Sequence, residues 1–201
     1  MTESGTVDAS LLRSQVREKY RDVAADPHAE FHFHLGRVAA ERYGYDLGVL
    51  DALPDAAIES FAGVANPFSL RPLEPGERVV DVGAGAGFDA FVAAQLVGAN
   101  GAVIGVDMTP EMLAKARGTA AALHLHQVEF REGLAEELPV DDEAADVVIS
   151  NGVLNLVADK QRAFAEIFRV LRSGGTLQFA DIANGRPVPE EAVRDIDLWT
   201  A

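Results

Sequence analysis

The sequence predicts an α/β fold, a doubly wound and mostly parallel sheet with a helical segment in front of it. From about residue 73 onward, short β-branched runs alternate with helix-length segments, a rhythm that implies parallel strands joined by right-handed crossovers. The first of these runs, Val79-Val80-Asp81-Val82, leads straight into Gly83, Gly85 and Gly87, and three glycines spaced two apart let a backbone turn tightly and approach a ligand. Residues 1–72 carry helix patterns and no strand pattern. We therefore expect a helical preface over 1–72, acting as a lid, and a ligand-binding core over 73–201.

Composition narrows the function classes. With 201 residues, 48% of them apolar, the chain is long enough for one α/β domain with a flanking segment. It has no cysteine, which removes disulfides, thiolate metal sites and a cysteine nucleophile. A formal charge of −15 without a basic patch argues against nucleic acid as a partner, because that affinity comes from clustered Lys and Arg. No apolar run approaches the ~18 residues of a membrane span, and nothing resembles a signal peptide. No membrane partner is expected, and the expected location is the cytoplasm.

In the preface, Leu12, Val16, Tyr20 and Val23 recur at helical spacing from Leu11 to Ala25, and Pro27 ends that helix. The run Phe31-His32-Phe33-His34-Leu35-Gly36 is the most unusual in composition. Two histidines at i and i+2 share a face when extended, but no carboxylate or cysteine cluster supports a metal, and no metal site is expected. Aromatics of this kind suit the wall of a substrate pocket. Short helices are expected over Val38–Tyr43, Leu47–Leu53 and Asp55–Phe61, and a turn at Ala65-Asn66-Pro67-Phe68.

The glycine loop does not fit a dinucleotide site. That fingerprint places its third glycine three residues after the second, where this chain has Phe88. Here the third glycine comes early, and Asp81 stands two residues before the first. A carboxylate in that place can accept from an ammonium group, which a pyrophosphate loop has no use for. An amphipathic helix is expected from Phe88 to Val97. The second strand, Ala102–Val106, leads to Asp107, at the carboxyl end where an acid can accept both hydroxyls of a ribose. Thr109-Pro110-Glu111 supplies an N-cap candidate, a proline suited to the first helical position and an acid at the helix's positive end. Further strands are expected at Gln127–Glu132, Asp146–Asn151 and Thr176–Ile182, with a helix over Lys160–Arg172 ended by Gly174-Gly175. Gly83 to Gly87, Asp107, Gly133 to Ala135 and Asn151 all fall at the carboxyl ends of strands, where open α/β sheets bind ligands.

Four segments carry a family resemblance: Val80-Asp81-Val82-Gly83-Ala84-Gly85-Ala86-Gly87, Gly105-Val106-Asp107-Met108-Thr109-Pro110-Glu111-Met112, Ser150-Asn151-Gly152-Val153-Leu154-Asn155-Leu156 and Arg169-Val170-Leu171-Arg172-Ser173-Gly174-Gly175. In order and spacing they resemble the core of the class I S-adenosylmethionine-dependent methyltransferases, over roughly Leu73 to Ile182. The resemblance implies a Rossmann-like fold and S-adenosyl-L-methionine as cofactor. Asp81, Gly83, Gly85 and Gly87 would hold its methionine part and Asp107 its ribose. Leu134 and Ala135 would contact the adenine, Met108 either flanks the adenine or simply packs, and Asn151 would stand near the methyl group. Phe33, His34 and Asn66 are the candidate contacts to a small-molecule acceptor. Alternatives are a protein that binds the cofactor without turnover and, less well supported, a nicotinamide-dependent oxidoreductase.

Within that superfamily the chain is similar to the arsenite methyltransferase-like group, through Leu53-Pro54 and Gly63-Val64-Ala65-Asn66-Pro67 as well as the core. It departs from that group where the chemistry lies. Val64 and Gly152 stand where the group has cysteines, and soft thiolate ligands for As(III) are not replaced by Val and Gly. Leu134 stands where related enzymes often have an acid for the adenine amino group. A further departure concerns the sheet: class I enzymes have seven strands, and five are expected here. The fifth strand would then keep an open edge, and self-association through it is expected. Val193, Ile196, Leu198 and Trp199 mark a last helix.

Overall fold

The computed structural model of the chain describes residues 8–27, 29, 35–183 and 185. Five strands form one sheet: β1 (Arg78–Val82), β2 (Ala102–Asp107), β3 (Val128–Glu132), β4 (Ala145–Asn151) and β5 (Leu171–Ala180). Every pairing is parallel, and the order is β3-β2-β1-β4-β5. Strand order reverses at β1, so a crevice opens beyond the carboxyl ends of β1 and β4, the usual ligand position in such sheets. Side-chain alternation then assigns the two faces. Val79 enters the core under the preface, whereas Val80 and Val82 enter the opposite core, because successive strand residues point to opposite sides.

Among the described residues, seven α-helices either join the parallel strands or precede them. In the core, α5 (Phe88–Val97), α6 (Pro110–Ala122) and α7 (Lys160–Val170) are the crossover helices. The preface holds α1 (Ala9–Ala25), α2 (Gly36–Arg42), α3 (Leu47–Asp51) and α4 (Asp55–Ile58). Asp8 caps α1 by accepting from the Ser10 and Leu11 amides, and Asp46 caps α3 by accepting from Val49, which satisfies donors that a helix start leaves free. Tyr45, Leu50, Leu53, Ile58 and Phe61 of the preface share one buried cluster with Val79, Phe88, Phe91 and Ile149 of the core.

Three local expectations need correction. The helix α5 is not amphipathic: Phe88 through Ala94 are all buried, because the preface covers the side that would otherwise face water. Thr109 stands at the N-cap of α6 but makes no side-chain cap bond. Gly174-Gly175 does not end α7, which stops at Val170 and runs directly into β5. Pairing jumps from Ala145–Leu171 to Val147–Thr176, and the bulge so formed contains Gly174 at φ 78° and Arg172, which ion-pairs with Asp146. The last helix expected around Val193 to Trp199 lies outside the described residues. Among the described residues β5 pairs with β4 alone, and Phe168, Phe179 and Ile182 are exposed beside it.

Candidate active site

A cavity of about 1040 Å³, counted to its open mouth, lies at the carboxyl ends of the strands. The glycine loop forms its floor. Gly83, Gly85 and Gly87 have φ of 78°, 54° and 92°, a region that costs any other L-residue energy. At Gly83 there is a second constraint, since a Cβ there would lie 2.2 Å from Val153. Hydrogen bonds brace the loop against β2: the Gly83 and Ala84 amides both donate to the Val106 carbonyl, at 2.8 and 3.0 Å.

Asp81 is buried, and its Oδ2 has no hydrogen-bond partner. Burial pushes its carboxyl well above the usual range, the Asp89 and Asp107 charges push the same way, and the Ala90 amide opposes them. A buried acceptor without a donor is costly, so the place suits a ligand cation. Asp107 differs. Its Oδ2 accepts from the Gly85 amide and its Oδ1 from the Thr109 amide, both at 2.8 Å. Those bonds fix the carboxylate plane and leave lone pairs for a diol. Burial raises this carboxyl too, against the Thr109 and Gly85 amides. Met108, Leu134 and Ala135 also line the cavity, as apolar neighbours for a flat ring.

The opposite end is built by residues distant in sequence. Asn151, at the end of β4, accepts from the Val64 and Ala65 amides at 2.8 and 3.2 Å and donates to the Ala65 carbonyl at 2.8 Å. Its Nδ2 also donates to Asp89 Oδ2 at 3.0 Å. Asn151 thus ties the preface to the sheet, and its polar atoms are already engaged. Gly152 and Val64 stand side by side, since a Cβ on Gly152 would lie 3.1 Å from Val64 Cγ1. The two positions where the resemblance places cysteines are therefore neighbours in space. Phe61, Val153, Leu156 and Val157 complete an apolar wall.

Asn66 is the sequence-derived candidate that the structure places elsewhere. It is not among the cavity's lining residues; its Oδ1 accepts from Phe68 at 2.9 Å, starting the turn Pro67–Ser69, and its Nδ2 donates to Gly44. An Asn before Pro is as much a turn signal as a ligand contact, and here the turn uses it. Phe33 and His34 lie outside the described residues.

Several cavity residues escape sequence reading. Asp89 is buried and accepts from the Tyr45 hydroxyl at 2.5 Å. Its carboxyl is pushed up to about 6 by burial, against the bonds from Tyr45 and Asn151. A single acid in an otherwise apolar helix, Phe88-Asp89-Ala90-Phe91-Val92-Ala93-Ala94, was the available signal. From α1, Arg13, Val16 and Tyr20 close over the mouth. Arg13 ion-pairs with the buried Glu136 at 3.0 Å. Burial, then the charges of Asp107 and Asp181, push the Tyr20 hydroxyl to about 12, so it stays a neutral donor.

Comparison with known proteins agrees with this geometry. A family model described as a methyltransferase domain matches residues 73–199. An arsenite methyltransferase from Halobacterium salinarum is 47% identical over 161 residues, covering 80% of this chain and 41% of that protein. The human arsenite methyltransferase is 37% identical over 130 residues, covering 60% of this chain and 35% of its own length. Among solved structures, an arsenic(III) S-adenosylmethionine methyltransferase from Chlamydomonas reinhardtii superposes with a TM-score of 0.67 at 39% identity, covering 73% of this chain and 51% of that one. The chain thus spans less than half the length of the curated relatives it matches. With an unpartnered acid above a glycine loop and a second acid held by backbone amides, the chain belongs to the class I S-adenosylmethionine-dependent methyltransferases, and its cofactor is S-adenosylmethionine.

Proposed function

We propose that the chain transfers a methyl group from S-adenosylmethionine to a small organic acceptor, and that free arsenite is not that acceptor. One observation carries the reading: a single cavity joins the acidic glycine cradle to an apolar end lined by Gly152, and Gly152 and its neighbour Val64 stand where the resemblance places cysteines. The relatives' names favour arsenic chemistry, yet three-coordinate As(III) requires thiolates and this sequence has no cysteine. Asp81 and the glycines would hold the methionine part, Asp107 the ribose, and Met108, Leu134 and Ala135 the adenine. When bound, the cofactor supplies an activated methyl on a sulfonium. The protein's share is alignment and exclusion of water: Phe61, Val153 and Leu156 wall the acceptor side, and Asn151 positions the preface against it. Tyr20 offers a neutral hydroxyl at the mouth. Among the described residues the outer edge of β5 pairs with no strand, and Phe168, Phe179 and Ile182 are exposed beside it, which supports association of the chain through that strand.

Isothermal titration tests the cofactor assignment, with S-adenosylmethionine and S-adenosylhomocysteine expected to bind and NAD not; NAD binding alone would overturn it. For the acceptor, mass spectrometry of reactions with a panel of small organic nucleophiles and with arsenite should show methylated organic product. Methylated arsenic above the no-enzyme control would contradict the proposal, and cofactor binding with no product from any acceptor would favour a non-catalytic binding protein.

A further inference from the structure

Asp81 and Asp89 are two buried carboxylates on consecutive elements, both lining the cavity. Asp81, in β1, and Asp89, in the first turn of α5, are joined by the glycine loop, and both acids belong to the wall of one cavity. The groups that face them come from every side. Tyr45 from the preface donates to Asp89 Oδ1 at 2.5 Å, and Asn151 from β4 donates to Oδ2 at 3.0 Å. Asp107, at the end of β2, adds a third negative charge. Burial and the Asp89 charge keep the Tyr45 hydroxyl neutral. Among the described residues, no lysine, arginine or histidine bonds to either acid. Two like charges in a low-dielectric site do not both ionise cheaply. Burial acts first on each of them, and the Asp89 charge comes next for Asp81. Among the described residues nothing cationic bonds to the pair, and the place suits a ligand cation.

We propose that Asp81 and Asp89 act as one acid pair that shares a proton in the ligand-free protein and releases it to solvent when a cationic cofactor binds, and that Asp89 sets the preference for the sulfonium cofactor over its neutral-sulfur product. The inference rests on the cofactor reading above. S-adenosylmethionine brings an ammonium and a sulfonium against one carboxylate. In transfer an acceptor lone pair forms the new bond to the methyl carbon as the S–CH₃ bond breaks; the sulfur keeps that bond's electron pair, the positive charge passes to the methylated acceptor, and the cofactor left behind is one charge less positive. The pair then takes a proton back from solvent, and its hold on the product weakens. Tyr45 and Asn151 fix the plane of Asp89, so the charge-reading group is anchored to both the preface and the sheet.

Titration calorimetry on the whole chain at about pH 6.5, where the cofactor's own amine is already protonated, tests this in two buffers of different ionisation enthalpy. Binding of S-adenosylmethionine should release about one proton, and binding of S-adenosylhomocysteine clearly fewer. Affinity for S-adenosylmethionine should rise by up to about tenfold per pH unit while the pair still holds its proton. Asp89→Asn should lower the proton count and bring the two affinities together; if that variant fails to fold, the wild-type counts decide alone. Binding of S-adenosylmethionine with no net proton release, or equal counts for the two ligands, overturns the inference and leaves the cofactor reading standing. Absence of binding by either ligand overturns both.

Discussion

The two ends of the cavity are built in different ways. The cradle end comes from one continuous stretch, Asp81 to Asp107, whose two strands are sequence neighbours and sheet neighbours. Its key contacts are backbone amides and glycine torsions, such as Gly85 donating to Asp107. At the far end, one side chain, Asn151, bonds to Val64 and Ala65, 87 and 86 positions away, and buried Asp89 meets Tyr45 across the preface boundary. The cradle therefore depends on local backbone shape, whereas the far end depends on how two separately formed segments dock.

Changes that damage backbone shape should have the largest effect. Gly83→Ala places a Cβ 2.2 Å from Val153 at a φ of 78°, and we expect a loss of about 2–4 kcal/mol. Gly85→Ala meets no neighbour within 4 Å and should cost only the torsional part, about 1–2 kcal/mol. Urea denaturation of the two variants compares them directly, and equal losses would show that contact with Val153 does not matter.

Next come substitutions that separate the two ends. Asp107→Ala should weaken S-adenosylmethionine binding by about 1–3 kcal/mol, because ribose hydroxyls lose a charged acceptor. Asn151→Ala should instead lower stability by about 1–3 kcal/mol, since the Val64 and Ala65 amides lose their partner. Calorimetric affinities and proteolysis within the preface should respond in opposite order in the two variants. A common response would mean the ends are coupled more tightly than their construction implies.

Acid has two effects of opposite sign. Asp89 titrates at about 6 when folded against 3.8 for an ordinary Asp, so the folded protein binds a proton first, and stability of the ligand-free chain should rise as pH falls through that window. Asp146 behaves in reverse. Burial pushes its carboxyl up, but the Arg78 amide and the Arg172 and Arg78 guanidiniums outweigh that and bring it to about 2. The stability it contributes, about 2 kcal/mol, is present above about pH 4 and should be lost between about pH 4 and 2. Thermal midpoints followed through the acid range should pass through a maximum, and Asp146→Asn should flatten the acid limb.

The smallest effect is expected at the mouth. Arg13→Ala removes the bridge to Glu136, in which the arginine side chain is 37% exposed, and should change stability by less than about 1 kcal/mol. Its mark should be faster cofactor release, read by stopped-flow fluorescence, since α1 would be held less firmly over the cavity.

Local pattern determined the strands, the crossover helices, the glycine cradle and the two acids at strand ends, because each follows from side-chain size, alternation or torsional freedom within a few residues. The places of Asp81 in the first strand, of the turn at Gly83, Gly85 and Gly87, and of Asp107 at the end of the second strand are legible for that reason. The helix α5 was misread because its neighbours along the chain do not reveal the preface packed on its outer side. Asn66 is ambiguous for a related reason: its sequence context suits a turn and a ligand equally, and its bonds to Gly44 and Phe68 arise only in the folded chain. The pairing of Asn151 with the preface, the burial of Asp89 and its bond to Tyr45, and the contact of Val64 with Gly152 arise only when distant segments are brought together. Such contacts depend on the closure of long loops and the packing of a shared core, and no periodicity in the residues records them.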